Sequence, residues 1–278
     1  MAETITEISE LQATARKIRR HIVRMTHVAQ SGHPGGSLSS VEILTALYFG
    51  DILKHDPSRP EWPERDWFIM SKGHATPVLY ATLAESGYFD AGLLDTFRQL
   101  GSPLQGHGTR GRPAGVEMSG GALGMGLSFC NGLSLAARID NEKRRAYCLL
   151  GDGELNEGQN WEAAMAAAHF GFDQLTAIVD RNGFQNDGPG DEIMRLDPLI
   201  DKWVSFGWHV IAINDGHNLN ELIDAFQEAK GIQEQPQVII APTIKGKGVS
   251  FMEADPASWH GKGPSDEQLN LALEEIGL

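Results

Sequence analysis

Residues 149–188 read LLGDGELNEGQNWEAAMAAAHFGFDQLTAIVDRNGFQNDG, and this stretch decides the fold. The apolar run RRAYCLL (144–150) reads as a strand that ends at Leu150 and passes straight into Gly151-Asp152-Gly153. Residues 157–170 read as a helix, and LTAIVD (175–180) as the next strand, which delivers Asp180-Arg181-Asn182-Gly183. Asp152 and Asn182 are thirty residues apart, one helix plus one strand, so both arrive at the same sheet edge from neighbouring strands. Ligands of open parallel sheets bind beyond the carboxyl ends of the strands. The flanking glycines let backbone approach a phosphate, and the helix that follows favours an anion at its N-terminus. A carboxylate and an amide oxygen suit a hard Mg2+ or Ca2+ ion that also takes phosphate oxygens. Taken singly, Gly-Asp-Gly reads as a turn and Asn-Gly as a hairpin signal. The pair, each member following a strand, points to a metal–diphosphate site.

The alternation extends outward in both directions. Ile8, Leu11, Ala15, Ile18 and Ile22 recur at helical spacing and predict a helix over 6–30. SGHPGGSLS (31–39) breaks it with Gly32, Pro34, Gly35 and Gly36, and a second helix is expected over 39–48. Trp67-Phe68-Ile69-Met70 reads as a buried strand delivering Ser71-Lys72-Gly73-His74, with helical stretches over 76–87 and 90–99. The glycine-rich QGHGTRGRPAGVEMSGGALGMG (105–126) precedes an Ala- and Leu-rich helix to about Ile139. WHVIAI (208–213) and QVIIAPTI (237–244) read as strands on either side of a helix over 218–230. PSDEQLNLALEEIGL (264–278) carries a capping-box pattern at Ser265 and Gln268 and reads as a closing helix. Strands alternating with helices imply an α/β fold, an open, mostly parallel sheet with helices on both faces. Neither an internal repeat nor a low-complexity linker divides the chain, so residues 1–278 are expected to form one domain.

A formal net charge of −14 argues against a nucleic-acid partner, which needs excess Lys and Arg to meet its phosphates. Cys130 and Cys148 sit inside apolar stretches, without metal-ligand or redox spacing, and read as small buried hydrophobes. The opening MAETITEISELQATARKIRR lacks the apolar core of a signal peptide, and no run approaches the ~20 apolar residues of a membrane span. A cytoplasmic protein without a membrane partner is expected.

Gly-Asp-Gly followed after this interval by Asn resembles the signature of thiamine-diphosphate enzymes. SGHPGGSLS (31–39), SKGHA (71–75), GVEMSGGALGMGLS (115–128), VDRNGFQNDG (179–188), KGKG (245–248) and WHG (259–261) narrow the resemblance to the transketolase family. These segments run in order over nearly the whole chain, which resembles the N-terminal, diphosphate-binding subunit of a split transketolase. The resemblance implies that Asp152, the side chain of Asn182 and the main-chain carbonyl of Phe184 bind the metal, and that Gly153 offers its N–H to the diphosphate. Gly121-Ala122-Leu123 would line the cofactor. Two departures stand out: 119–126 reads SGGALGMG where the family often has STGxLGQG, and Gly108, not Pro, follows His107.

Four of the ten histidines sit beside glycine on loops: His33, His74, His107 and His260. Function concentrates on loops held by a rigid scaffold, and imidazole exchanges protons near neutral pH. By resemblance, His33 and His260 contact the substrate near the reacting carbons, with His260 the first candidate for the C3-hydroxyl proton. His107 would meet the donor's C1 hydroxyl, and His74 and His260 would reach the diphosphate. His21, His27, His55, His169, His209 and His217 read as surface or satisfied core residues. Lys245 and Lys247 read either as a phosphate clamp or as solvated charges on a flexible loop. Glu157 and Glu162 lie early in a helix, where its dipole favours acids; in the family, matching glutamates meet across a subunit interface and link to the activating glutamate.

The resemblance implies transfer of a two-carbon ketol unit from a ketose phosphate donor to an aldose acceptor. It also implies a C-terminal partner subunit carrying the pyrimidine-binding domain, and self-association into an α2β2 assembly. The α subunit of a 2-oxoacid dehydrogenase would share Gly-Asp-Gly and Asn but not need the loop histidines. A non-catalytic cofactor-binding subunit would tolerate loss of the metal ligands.

Overall fold

Among the described residues, five short apolar runs form the strands of one sheet: β1 (Trp67–Met70), β2 (Ala146–Gly151), β3 (Leu175–Arg181), β4 (His209–Ala212) and β5 (Gln237–Pro242). All neighbours pair in parallel, in the order β1-β2-β3-β5-β4. The computed structural model describes residue 5 and residues 7–277; the start of the first expected helix at residue 6, and residues 1–4 and 278 of the expected domain, lie outside them.

The near-continuous apolar character of β1, β2, β3 and β5 follows from burial on both faces, whereas the edge strand β4 is partly open. Phe68, Met70, Tyr147, Leu149, Ile178, Ile239 and Ala241 point into one core. That core is closed by α1 (Ile8–Val28), α3 (Val41–Phe49), α4 (Thr76–Glu85), α9 (Leu219–Gly231) and α11 (Asp266–Ile276). The alternate residues Trp67, Ile69, Ala146, Cys148, Leu150, Ala177, Val179, Val238 and Ile240 point into a second core. There α5 (Gly126–Ile139), α6 (Gly158–Phe170) and α8 (Leu199–Ser205) pack. Both cysteines are free and buried. No helix among the described residues is long and apolar enough to cross a membrane.

The glycine-rich segment 31–39 is not simply a break. It holds α2 (Pro34–Leu38), with Pro34 in the first turn, where a missing N–H costs nothing. The following helix therefore begins at Val41. Residues 91–96 are a 3-10 turn started by the Asp90 carboxylate, which accepts the Gly92 N–H at 2.8 Å. Three short helices have no counterpart in the sequence reading: α7 (Gly190–Ile193), α8 and α10 (Ser250–Ala254), each too brief to show a period. The Ser265–Gln268 capping box is formed as expected.

One buried polar cluster fastens α1 to the site-bearing half. Arg19 pairs with Glu42 of α3 through both guanidinium nitrogens, at 2.6 and 2.7 Å, and its Nε donates to the Lys247 carbonyl. The Nε2 of His217 accepts the Ile244 N–H, so its Nδ1 carries the proton and donates to Glu42 at 2.8 Å. Burial alone would raise the Glu42 carboxyl, but Arg19 and His217 outweigh it and hold it at about 2. Replacing Glu42 with Ala leaves the Arg19 charge buried and unpaired. The expected cost is about 3–5 kcal/mol of stability, read as a lower urea midpoint with unchanged slope; a loss under about 1 kcal/mol would show the cluster to be solvated.

Candidate active site

Every strand end that matters opens at the same edge. β1 leads into Ser71-Lys72-Gly73-His74, β2 into Asp152, β3 into Asn182 and β5 into Thr243-Ile244-Lys245. Asp152 is buried and binds two loops together: its carboxylate accepts the Gly153 N–H at 2.8 Å and the Gly183 N–H at 2.6 Å. Asn182 turns the chain back, its Oδ1 accepting the Phe184 N–H at 3.1 Å. A cavity of about 310 Å3 lies over these ends, within the range of small-molecule sites. Asp152, Gly153, Asn182, Phe184, His74 and His260 all line it, as do Leu123 and Glu157.

Gly35 explains how histidines far apart in sequence meet. Its N–H donates to the Trp259 carbonyl at 3.1 Å, and its carbonyl accepts the Gly246 N–H at 3.0 Å. A Cβ at Gly35 would lie 2.9 Å from the Trp259 oxygen, so only glycine permits this approach. SGHPGG, KGKG and WHG are thereby laced at one residue. The rings of His33, His74 and His260 form a triangle with centroid separations of 5.1, 5.3 and 5.2 Å. His107 stands apart from it: exposed, beside Gly121, close enough for its charge to act on His33. Gly121 and Ala122 are exposed at the rim and do not line the cavity. Glu162 is exposed on α6.

Burial, then neighbouring positive groups, pull His33 and His260 down to about 4, and His74 is lowered well below its ordinary value by the same causes. All three rings are therefore neutral at pH 7 and able to accept a proton or a hydrogen bond. Burial and the nearby charge of Asp180 push Asp152 up to about 6. That is the signature of a carboxylate short of positive charge, the condition a divalent cation relieves.

The cavity wall offers the Asp152 carboxylate, the Asn182 amide and the Phe184 backbone as oxygen donors. No group of three or more His, Cys, Asp or Glu side chains arranged to hold a metal exists among the described residues. An oxygen set this sparse fits a hard cation completed by phosphate oxygens and water rather than zinc or a softer metal. The residues present would thus suit a divalent cation that accompanies a diphosphate.

Three buried charged side chains at this edge, Lys72, Asp180 and Glu154, escaped the sequence reading. Lys72 is buried, donates to the Gly36 carbonyl at 2.7 Å and forms a very short ion pair with Asp180. Asp180 also accepts from Ser39 at 2.6 Å, from Ser40 at 3.0 Å and from Thr243. Buried Glu154 accepts from Ser71 and from the Gly124 and Gly151 N–H groups, holding the glycine loop against the β2 turn. Lys245 is not a solvated charge on a flexible loop: it is buried, donates to the Gln185 carbonyl at 2.9 Å and reaches His260 Nδ1 at 3.0 Å. Its ammonium has only donors, so His260 accepts at Nδ1 and keeps its proton on Nε2. Lys72 in SKGHA and Asp180 in VDRNG each stand at the end of an apolar strand run, which marks them as edge residues and no more. The other six histidines have no place in the cavity; His55, for one, bridges the Tyr48 carbonyl and the Tyr88 hydroxyl.

Comparison with known proteins adds a family to this geometry. The family model for the transketolase thiamine diphosphate binding domain matches residues 11–278. The chain is 45% identical over 267 residues to the 6-deoxy-6-sulfo-D-fructose transketolase subunit SqwG of Clostridium sp. (strain MSTE9), covering 96% of each. It is 41% identical over 270 residues to an apulose-4-phosphate transketolase subunit from Phocaeicola vulgatus, covering 97% of this chain and 95% of that one. The crystal structure of transketolase from Campylobacter jejuni superposes with a TM-score of 0.91 at 33% identity, over 98% of this chain but 43% of that one. The chain therefore spans under half the length of that solved relative.

Lowered histidines have a measurable consequence. Between about 6.5, the unperturbed value, and about 4, the unfolded chain binds a proton at His260 that the folded chain does not. The wild type therefore loses stability through this residue as pH falls across that window. His260→Gln removes the loss, so the variant should gain on the wild type by about 1 kcal/mol between pH 7 and pH 5, the ring being partly open to water and screened. Urea unfolding of both proteins at the two pH values reads the difference; a gap that does not move with pH would mean His260 titrates normally.

Proposed function

The chain belongs to the transketolase family, and we propose that it is the cofactor-holding half of a two-subunit transketolase, a single diphosphate-binding domain over residues 1–278. The observation that carries this reading is the triangle of neutral imidazoles, His33, His74 and His260, set beside a cavity that ends at Asp152, Asn182 and Phe184. Asp152, the Asn182 side chain and the Phe184 carbonyl would hold Mg2+ or Ca2+, with Gly153, His74 and His260 toward the diphosphate and Gly121-Ala122-Leu123 along the cofactor's flank. Bound there, thiamine diphosphate supplies the nucleophilic carbon and electron sink that ketol transfer requires. Lys72 and Lys245 add positive charge to the same cavity.

The chain's own side chains handle the substrate's hydroxyls. His260, with its Nδ1 fixed by Lys245, and His33 face the donor, His260 being first candidate for the C3-hydroxyl proton; His107 at the more open rim meets the C1 hydroxyl. The charges of a bound diphosphate would raise these imidazoles from about 4 toward neutrality, where general-base catalysis works best.

The partner would be a C-terminal subunit carrying the pyrimidine-binding domain, the activating glutamate and the groups that hold the sugar's anionic tail. A ketose phosphate donor and an aldose acceptor are the substrates, and the assembly is α2β2. Exposed Met125, Phe129, Leu135 and Ile139 on and before α5, with Met165 and Phe170 on α6, form the kind of apolar surface that subunits cover. Exposed Glu162 and cavity-lining Glu157 fit an acidic relay that a second copy completes.

Reconstitution from separately purified subunits tests the assignment. The mixture should transfer a two-carbon unit and melt higher as partner is added; robust transfer by this chain alone would overturn it. Within the mixture, Asp152→Ala should abolish Mg2+-dependent cofactor binding by calorimetry. His260→Ala should lower kcat/KM for the ketose donor about a hundredfold or more while cofactor affinity changes little. Wild-type donor kinetics in His260→Ala at saturating cofactor would remove His260 from the chemistry.

A further inference from the structure

Among the described residues, Arg98 is the one long cationic side chain held in a left-handed backbone conformation near the site, at φ +61°, and a bulky residue there is a strained exception. Its N–H donates to the Leu104 carbonyl at 2.8 Å, which closes the loop that carries it back toward Gly106. The guanidinium NH1 donates to the Ser31 hydroxyl at 2.6 Å, two residues before His33. On its other side the group lies flat against Gly106, one residue before His107: a Cβ at Gly106 would fall 2.6 Å from Nε and 2.7 Å from NH2. The neighbouring Phe97 ring packs on Gly32, where an added Cβ would meet it at 2.9 Å. The Phe97-Arg98 pair therefore grips Ser31-Gly32 with one side and Gly106 with the other. The Nε of Arg98 and the Nδ1 of His33 are both buried and find no hydrogen-bond partner among the described residues.

We infer that Arg98 is a positioning residue that clamps the His33 and His107 loops to each other, and so sets the donor-facing imidazoles relative to the triangle's other members. The inference rests on the proposed transketolase reading for its catalytic arm only. His33 also feels the other groups packed around it: His74 and His260 in the triangle, and the charges of His107 and Lys245. Among the charged neighbours, Arg98 has the largest influence on it after burial. A strained conformation is retained where the surroundings demand it, and here the demand is two loops to be tied by one planar fork.

The test has two arms. Carbon-labelled histidines in this chain alone report the His33 titration by NMR, the resonance being identified with His33→Gln. The subunit pair reports kcat and donor KM. Arg98→Met should raise the His33 titration by about half a pH unit or more, and lower kcat about tenfold with donor KM within about threefold. Arg98→Lys, which keeps the charge without the fork, should leave the titration near its wild-type position and still lose much of kcat. Ser31→Ala should lower kcat less, since it removes a single anchor. Arg98→Met with wild-type titration would overturn the clamp, as would a full kcat. If Arg98→Met does not fold, Arg98→Lys and Ser31→Ala decide, and full kcat in both overturns the inference. A wild-type pair without ketol transfer would strike the transketolase reading, while the NMR arm still judges the clamp.

Discussion

The ion pair between Lys72 and Asp180 is the constraint on which the site's geometry depends. It joins the loop after β1 to the end of β3 at full burial, with further hydrogen bonds to Gly36, Ser39, Ser40 and Thr243. Four chain segments, at residues 36–40, Lys72, Asp180 and Thr243, are thus locked by one charge pair. A buried pair is tolerable when hydrogen bonds take up its surplus lone pairs and protons, and here Gly36 and three hydroxyls do much of that. Burial would raise Asp180, but Lys72 and the hydroxyl donors hold it low, so it stays charged.

That fixed negative charge shapes its neighbour. Asp152 accepts two N–H groups, yet it is raised because it is buried beside Asp180. Two carboxylates with different fates result. Asp180 is neutralised by the protein's own lysine, and Asp152 is left in want of a cation. The division of labour comes from partners, since both residues follow similar apolar strands.

Glycine governs the second tier of organisation. At Gly35 the backbone of one loop touches the backbones of two others, and at Gly73 an added Cβ would lie 2.9 Å from the Gly121 nitrogen. These close backbone approaches bring His33, His74 and His260 into ring contact. Lys245 then orients His260 through Nδ1. Exposed Glu157 lines the cavity, and α5 and α6 carry exposed apolar side chains of their own.

The sequence by itself determined the sheet: apolar strands of four to seven residues separated by helical periods can bury both faces only as a parallel α/β layer, and five strands form one. It also pointed Asp152 and Asn182 to adjacent strand ends, one helix and one strand apart, and β2 and β3 do pair. Boundaries blurred where signals were short, as at α2 inside a glycine-rich run and at α8. What only the tertiary structure decided is partnership. Nothing in SKGHA or VDRNG says that Lys72 and Asp180 meet, that Lys245 is buried rather than solvated, or that Arg98 spans two histidine loops. Charge pairing, burial and ring contact depend on which distant segments the sheet brings together, and local sequence carries period and propensity but not that proximity.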